Sequence, residues 1–114
     1  MPIPNGSRAP IYASRLFSRR RIDIRVQLIA PHPTGQQTIV HARTYDVSQS
    51  GAGLTVTRQL PLGTGVVICL RLPGSGNPLR LQATVIRRRG FRVGLRFVHP
   101  TAEQRLLLSE LCRA

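Results

Sequence analysis

Arginine is the residue type best equipped for chemistry in this sequence. The chain has 114 residues, and its 17 basic residues, all arginine, outnumber four acidic ones to give a formal net charge of +13. A guanidinium carries five N–H donors in a planar fork, so it binds a phosphate or a guanine edge through paired hydrogen bonds and stacks on bases. The composition therefore predicts an anionic partner that carries phosphate or nucleotide groups.

The densest arginine cluster stands near the beginning of the chain. Arg19, Arg20 and Arg21 are consecutive, and Arg25 follows Arg21 by four positions. The cluster joins a Pro, Gly and Ser-containing lead-in, residues 1–18, to a strand-like segment, so it can wrap an anionic ligand and become ordered on it. Each charge-assisted hydrogen bond would contribute roughly 1.5–3 kcal/mol. From the cluster alone, a solvated basic run remains the alternative.

A second constellation follows at the end of a strand-like segment. It reads Asp46-Val-Ser48-Gln-Ser-Gly51. A carboxylate can accept two hydrogen bonds from the N1 and N2 side of guanine, a hydroxyl can bind phosphate or base, and a glycine lets the backbone approach closely. An ordinary Asx turn would use the same residue types.

Catalysis and metal binding find little support in the sequence. The acidic residues are scattered, and three histidines show no ligand spacing. We therefore expect no enzymatic activity, no metal and no cofactor. The cysteines, Cys69 and Cys112, lie far apart in apolar contexts, which predicts buried, reduced thiols.

The elements that position these residues are short strands separated by turn signals. Strands are predicted at residues 25–30, 37–45, 53–57, 65–72, 79–88 and 91–98. In the second of them, Val40, Ala42 and Thr44 share one face, with Ile39, His41 and Arg43 on the other. Gly90 predicts a tight hairpin between the last two strands, with positive φ at the glycine. Five or six antiparallel strands without helices between them predict an all-β barrel or sandwich.

The end of the chain changes to helical spacing. Thr101 and Gln104 predict a capping box, and Leu107, Leu108, Leu111 and Cys112 recur at helical intervals, so we predict a short helix over residues 101–112. Such a short helix is marginal alone. We expect Leu107 and Leu111 to pack on the barrel, with a homodimer contact as the open alternative.

The length fits one domain, residues 19–114, behind the lead-in. No apolar run suits a signal peptide, and none approaches the ~20 residues of a membrane span. We expect a cytoplasmic protein without membrane insertion.

Taken together, the two constellations resemble the paired signature of PilZ domains. The pattern Arg20-Arg21-x-x-x-Arg25 precedes Asp46-x-Ser48-x-x-Gly51 in the family's order and spacing. The segment 93–98, Val-Gly-Leu-Arg-Phe-Val, is similar to the family's closing strand, and a short helix after it is also similar. The resemblance covers about residues 19–114.

This resemblance implies a six-stranded antiparallel β-barrel that receives the bacterial second messenger cyclic di-GMP and passes the signal to a protein partner of unknown identity. Residues 19–25 would be a switch segment that closes over the ligand on the barrel, residues 26–98. Arg21 and Arg25 would bind phosphate and the guanine Hoogsteen edge, while Asp46, Ser48 and Gly51 would line the base pocket. Arg20, just before the motif, would favour an intercalated ligand dimer.

Two alternatives stay open beside a cyclic di-GMP receptor. One is a diverged PilZ-like interaction module without a nucleotide, although such members usually lack the arginine motif that this chain has. The other is a small nucleic-acid-binding barrel, since the triplet at residues 87–89 attracts any phosphate backbone. Two Tyr, three Phe and no Trp offer few stacking platforms, so specific nucleic-acid binding is not expected. The triplet and Arg92 would otherwise form a solvated hairpin end or a docking surface for an acidic partner.

Overall fold

The computed structural model describes residues 21–71 and 76–113. Its elements are β1 (Arg25–Pro31), β2 (Gln37–Val47), β3 (Gly51–Val56), β4 (Gly65–Leu70), β5 (Leu79–Arg89), β6 (Arg92–Phe97) and a C-terminal helix (Ala102–Arg113). The strands form a closed barrel in the order β1-β2-β3-β6-β5-β4, and all neighbours are antiparallel. The barrel resolves the choice between barrel and sandwich, and closure pairs every strand on both sides.

Buried and exposed side chains alternate along most of the strands, and the buried ones fill the barrel interior. In β2, Val40, Ala42 and Thr44 are buried, whereas Ile39, His41 and Arg43 are exposed, which confirms the predicted faces. Because side chains alternate with a period of two, a register slip of one residue would bring Arg43 into the core. The pairing that places Arg25 opposite Arg43 is therefore strongly specified.

The C-terminal helix closes one part of the core, as predicted. The Gln104 amide donates to the Thr101 hydroxyl at 3.1 Å, and the Thr101 amide donates to the Gln104 side chain at 2.9 Å, so the capping box is formed. Leu108 is fully buried, and Leu107 and Leu111 are partly buried against the same core.

The hairpin between β5 and β6 also forms as predicted, with φ of 60° at Gly90. Two other expectations need correction. Strand β2 runs two residues longer than predicted and β3 begins two residues earlier, so the turn between them is tighter. Neither Cys69 nor Cys112 is in a disulfide, but both are half-buried rather than buried. Cys69 lies between the inward-facing Ile68 and Leu70 and so points away from the core, and the Cys112 thiol donates to the Val47 carbonyl at 3.2 Å.

Residues 1–20, which include the lead-in and Arg20, lie outside the described residues. Within the described part, no helix has the length and apolar character needed to cross a membrane.

Candidate functional site

Residues 21–25, the arginine segment, are attached to β2 through hydrogen bonds at Thr44. The Thr44 amide donates to the Ile24 carbonyl at 2.9 Å, the Ile24 amide donates to the Thr44 hydroxyl at 3.0 Å, and that hydroxyl donates to the Ile22 carbonyl. Thr44 is only 2% exposed, so its hydroxyl would be an unsatisfied polar group without these partners. Residues 22–24 therefore lie along β2, two positions before Asp46.

An exposed ion pair supports the same attachment. The Arg43 guanidinium donates from Nε and NH2 to the two Asp23 carboxylate oxygens, both at 2.9 Å. This hydrogen-bonded guanidinium holds the pKa of the Asp23 carboxyl below its ordinary value, and Asp23 in turn raises the pKa of Arg43. Asp23 thus neutralises Arg43 beside Arg25, which stands directly opposite Arg43 across the sheet.

Arg21 and Arg25 are both exposed. Arg25 opens β1 and borders two shallow clefts on the outside of the barrel. The first, of about 390 Å³, lies over β2 and β3 and is also lined by Arg43 and Thr55. The second, of about 410 Å³, faces β4 and β5 and is also lined by Arg71 and Arg80. Arg25 is therefore available to an anion approaching from solvent on either side of β1.

A β-bulge determines the direction of the Asp46 side chain. The pairing of β2 with β3 shifts between Thr44 and Asp46, which makes Tyr45 the extra residue. A bulge bends its strand and changes the direction of the side chains that follow. The half-buried Asp46 carboxylate accepts a hydrogen bond from the Gly53 amide at 3.0 Å, so its position is fixed against β3.

Ser48 and Gly51 hold the turn between β2 and β3. The Ser48 hydroxyl, on a residue only 1% exposed, accepts from the amides of Ser50 at 3.2 Å and Gly51 at 3.3 Å. A Cβ on Gly51 would lie 2.0 Å from the Leu95 carbonyl oxygen of β6. Both residues therefore have structural roles in the turn. The ligand-contact roles predicted for them from the sequence stay predictions.

The register brings together residues that the sequence did not identify as one group. A cross-strand row runs around the outside of the barrel through Arg25, Arg43, Thr55, Arg92 and Arg89. The neighbouring row runs through Asp46, Gly53, Gly94 and Arg87. The sequence placed Arg43 on one face of β2 with Ile39 and His41, but only the strand pairing shows that it lies opposite Arg25.

An aromatic side chain completes the surface beside Asp46. The Arg92 guanidinium lies over the Tyr45 ring, 4.3 Å from its centroid, and the ring lies against Gly53, where a Cβ would come within 2.5 Å of it. Among the described residues, no group of His, Cys, Asp and Glu could hold a metal ion. The arrangement offers guanidinium groups to an anion and one fixed carboxylate to a hydrogen-bond donor, which suits a nucleotide better than a metal.

Comparisons with known proteins agree with this geometry. Residues 14–114 match the family model of the PilZ domain. A similar solved structure is the PilZ domain of CeSA from a cellulose-synthesizing bacterium, with 26% identity over 83% of this chain and 94% of that chain and a TM-score of 0.64. No curated protein matches the chain.

Two further solved structures share the fold at 17% identity. The PilZ domain of YcgR from Escherichia coli, solved with c-di-GMP, has a TM-score of 0.51 over 81% of this chain and 88% of that chain. The inhibitor of motility MotI/DgrA from Bacillus subtilis has a TM-score of 0.68 over 85% of this chain. This chain spans 48% of MotI/DgrA, about half its length.

Proposed function

This chain belongs to the PilZ domain family, and from that premise we propose that it is a cyclic di-GMP receptor rather than an enzyme. PilZ domains are regulatory binding modules known as cyclic di-GMP receptors, and they often contact protein partners. The proposal includes a cytoplasmic location, because a second messenger is read in the compartment where it is made.

The observation that carries the proposal is the attachment of the arginine segment at Thr44. It holds the backbone between Arg21 and Arg25 against β2, just before the strand reaches Asp46. We assign Arg21 and Arg25 to phosphate and the guanine Hoogsteen edge, because their exposed forks suit both groups. Asp46 would accept from the N1 and N2 side of guanine. Ser48 and Gly51 would border the base and keep the turn in shape.

The proposed switch requires that ligand binding add to the contacts that already hold the segment. Those contacts are three hydrogen bonds at Thr44, the exposed ion pair of Asp23 with Arg43, and the packing of the half-buried Ile22 and Ile24 against the core. None of them uses the Arg21 or Arg25 side chain, and an exposed ion pair is strongly screened by solvent. Ligand phosphates between Arg21 and Arg25 would add stronger charge-assisted hydrogen bonds. Ligand binding would therefore order residues 19–25 further and create a new surface for a protein partner.

The test is calorimetric titration of cyclic di-GMP into the protein at physiological salt. We expect Arg21→Ala with Arg25→Ala to weaken binding by about a hundredfold or more, because at least two charge-assisted bonds are lost. The matched control is Arg58→Ala with Arg105→Ala, which removes the same charge from the β3–β4 loop and the C-terminal helix and should bind like the native chain. GTP is the ligand control.

Two outcomes would contradict the proposal. Absence of binding by the native chain would indicate a diverged interaction module. Equal binding of GTP, or equal weakening by both double variants, would indicate attraction by net charge alone. The stoichiometry tests Arg20 separately: two ligands per chain, reduced to one by Arg20→Ala, is expected for an intercalated dimer, and one ligand per native chain would refute that assignment.

A further inference from the structure

A groove beside the β5–β6 hairpin is lined by none of the described residues that we assign to cyclic di-GMP. This hairpin groove, of about 580 Å³, lies between the β3–β4 loop and the hairpin, and its principal lining residues are Tyr45, Leu62, Ile86, Arg88, Arg89 and Arg92. It combines exposed apolar side chains with a high density of guanidinium groups.

The walls of the hairpin groove are fixed by backbone hydrogen bonds. The Gly63 amide donates to the Val85 carbonyl at 2.8 Å, and the Val85 amide donates to the Thr64 carbonyl at 3.0 Å, which ties the loop to β5. The Val56 amide donates to the Phe91 carbonyl at 2.8 Å, which ties the hairpin to β3. A partner would therefore meet a preformed surface and lose little free energy to ordering it.

Exposed apolar side chains concentrate at this end of the barrel. Of the five large apolar side chains that are exposed within the described residues, Leu62 at 64% and Ile86 at 40% line the groove, and Phe91 at 51% lies in the hairpin next to it. The register shift between Val85 and Arg87 makes Ile86 the bulge residue of β5, and Leu62 lines the same groove from the β3–β4 loop. Exposed apolar groups collected in a concavity typically mark an interaction site.

The charge around these apolar groups has one sign. Arg87, Arg88, Arg89 and Arg92 all line the groove, and no Asp or Glu does. A partner that covers Leu62 and Ile86 must therefore bring negative charge, since like charges brought together would oppose binding.

We propose that the hairpin groove binds an acidic segment of a protein partner, which places an apolar side chain between Leu62 and Ile86. The acidic groups on either side of that apolar residue contact Arg88, Arg89 and Arg92. Nucleic acid fits less well, because Tyr45 is the aromatic ring that lines the groove and Arg92 already covers it. The strands are paired on both sides, so recognition is by side chains rather than by strand addition. This proposal does not depend on cyclic di-GMP binding.

The test is fluorescence titration of a labelled glutamate-rich peptide that carries leucine and phenylalanine at intervals, in the absence of nucleotide. One comparison peptide has the same charge with serine in place of leucine and phenylalanine, and a single-stranded oligothymidine of the same length is the nucleic-acid probe. We expect the apolar acidic peptide to bind tightest. Arg88→Glu with Arg89→Glu should weaken it by about tenfold or more, and Leu62→Ser should remove its advantage over the serine peptide.

The charge-matched control is Arg71→Glu with Arg80→Glu. Arg80 lies eight residues before Arg88 in β5, about 26 Å away along an ideal strand, so this control should bind the peptide like the native chain. Equal weakening by both double variants, or equal affinity for the two peptides, would overturn the proposal in favour of nonspecific attraction. Tighter binding of oligothymidine would overturn it in favour of a nucleic-acid surface. Unchanged melting temperatures confirm that the variants are folded.

Discussion

At the scale of single residues, Gly51 has a structural role that can be tested apart from its predicted role in ligand binding. Because glycine has no side chain, β3 can lie close to β6 at this point. A Cβ added to Gly51 would be 2.0 Å from the Leu95 carbonyl oxygen. We expect Gly51→Ala to destabilise the fold by about 1–3 kcal/mol or more, because the clash is with backbone that cannot rotate away. Urea unfolding measures the change.

Gly65 provides the matched control for that substitution. It is also in a strand, and a Cβ there would meet nothing within 4 Å, so Gly65→Ala should cost less than about 1 kcal/mol or stabilise the chain slightly. Equal effects of the two substitutions would contradict the packing argument. Loss of nucleotide binding in Gly51→Ala would not by itself identify Gly51 as a ligand contact, because the turn that holds Asp46 would also be disturbed.

Asp23 gives the prediction that depends on pH. Because Arg43 lowers its pKa in the folded chain, the ion pair stabilises the folded state above the ordinary pKa of an aspartate, and this contribution disappears as pH falls through the lowered value. We expect the pKa of the Asp23 carboxyl, measured by NMR, to lie below 3.8, the ordinary value of an aspartate. In the Arg43→Gln variant, the pKa of the Asp23 carboxyl should rise toward the ordinary aspartate value. An unchanged pKa would show that the bidentate contact is not populated in solution.

At the scale of the elements, periodicity was enough to predict the short antiparallel strands, whereas the choice of a six-stranded barrel came from the family resemblance. Alternation in β2 predicted which residues share a face, and the capping box and leucine spacing predicted the helix. The bulge at Tyr45 was not predictable, because an extra residue in one strand is defined only by the strand it pairs with. The contact of Arg43 with Asp23 depends on the pairing of β2 with β1, and the stacking of Arg92 on Tyr45 depends on the pairing of β3 with both β2 and β6, so the sequence did not identify them.

The C-terminal helix allows a test of its packing. Leu108 is fully buried and Leu106 is 56% exposed. Leu108→Ala should cost roughly 2–5 kcal/mol of unfolding free energy, because it removes a transfer contribution and leaves a cavity in the core. Leu106→Ala should have little effect, and the pair can be compared by urea denaturation. A large cost for Leu106→Ala that varies with protein concentration would instead indicate that the helix meets a second copy of the chain.

At the scale of the whole molecule, attraction by net charge and binding at the nucleotide site depend differently on salt concentration. A formal charge of +13 attracts any polyanion at low salt, and this attraction weakens steeply as salt screens it. Hydrogen bonds from Arg21 and Arg25 to a nucleotide held between the segment and the barrel are screened less, because partly buried charge pairs are screened less than exposed ones. Salt dependence therefore distinguishes the nucleotide site from the general basic surface.

The last prediction concerns ordering of the chain by its ligand. If cyclic di-GMP binds between the arginine segment and β2, amide hydrogen exchange should slow in residues 21–25, where Ile24 already donates to Thr44. The amides of the C-terminal helix provide the internal reference and should not change. Arg21→Ala with Arg25→Ala should abolish the added protection, because the segment would lose its contacts with the ligand. Unchanged exchange in the native chain at saturating ligand would contradict the switch, even if calorimetry shows binding, since a segment cannot become ordered without altered protection.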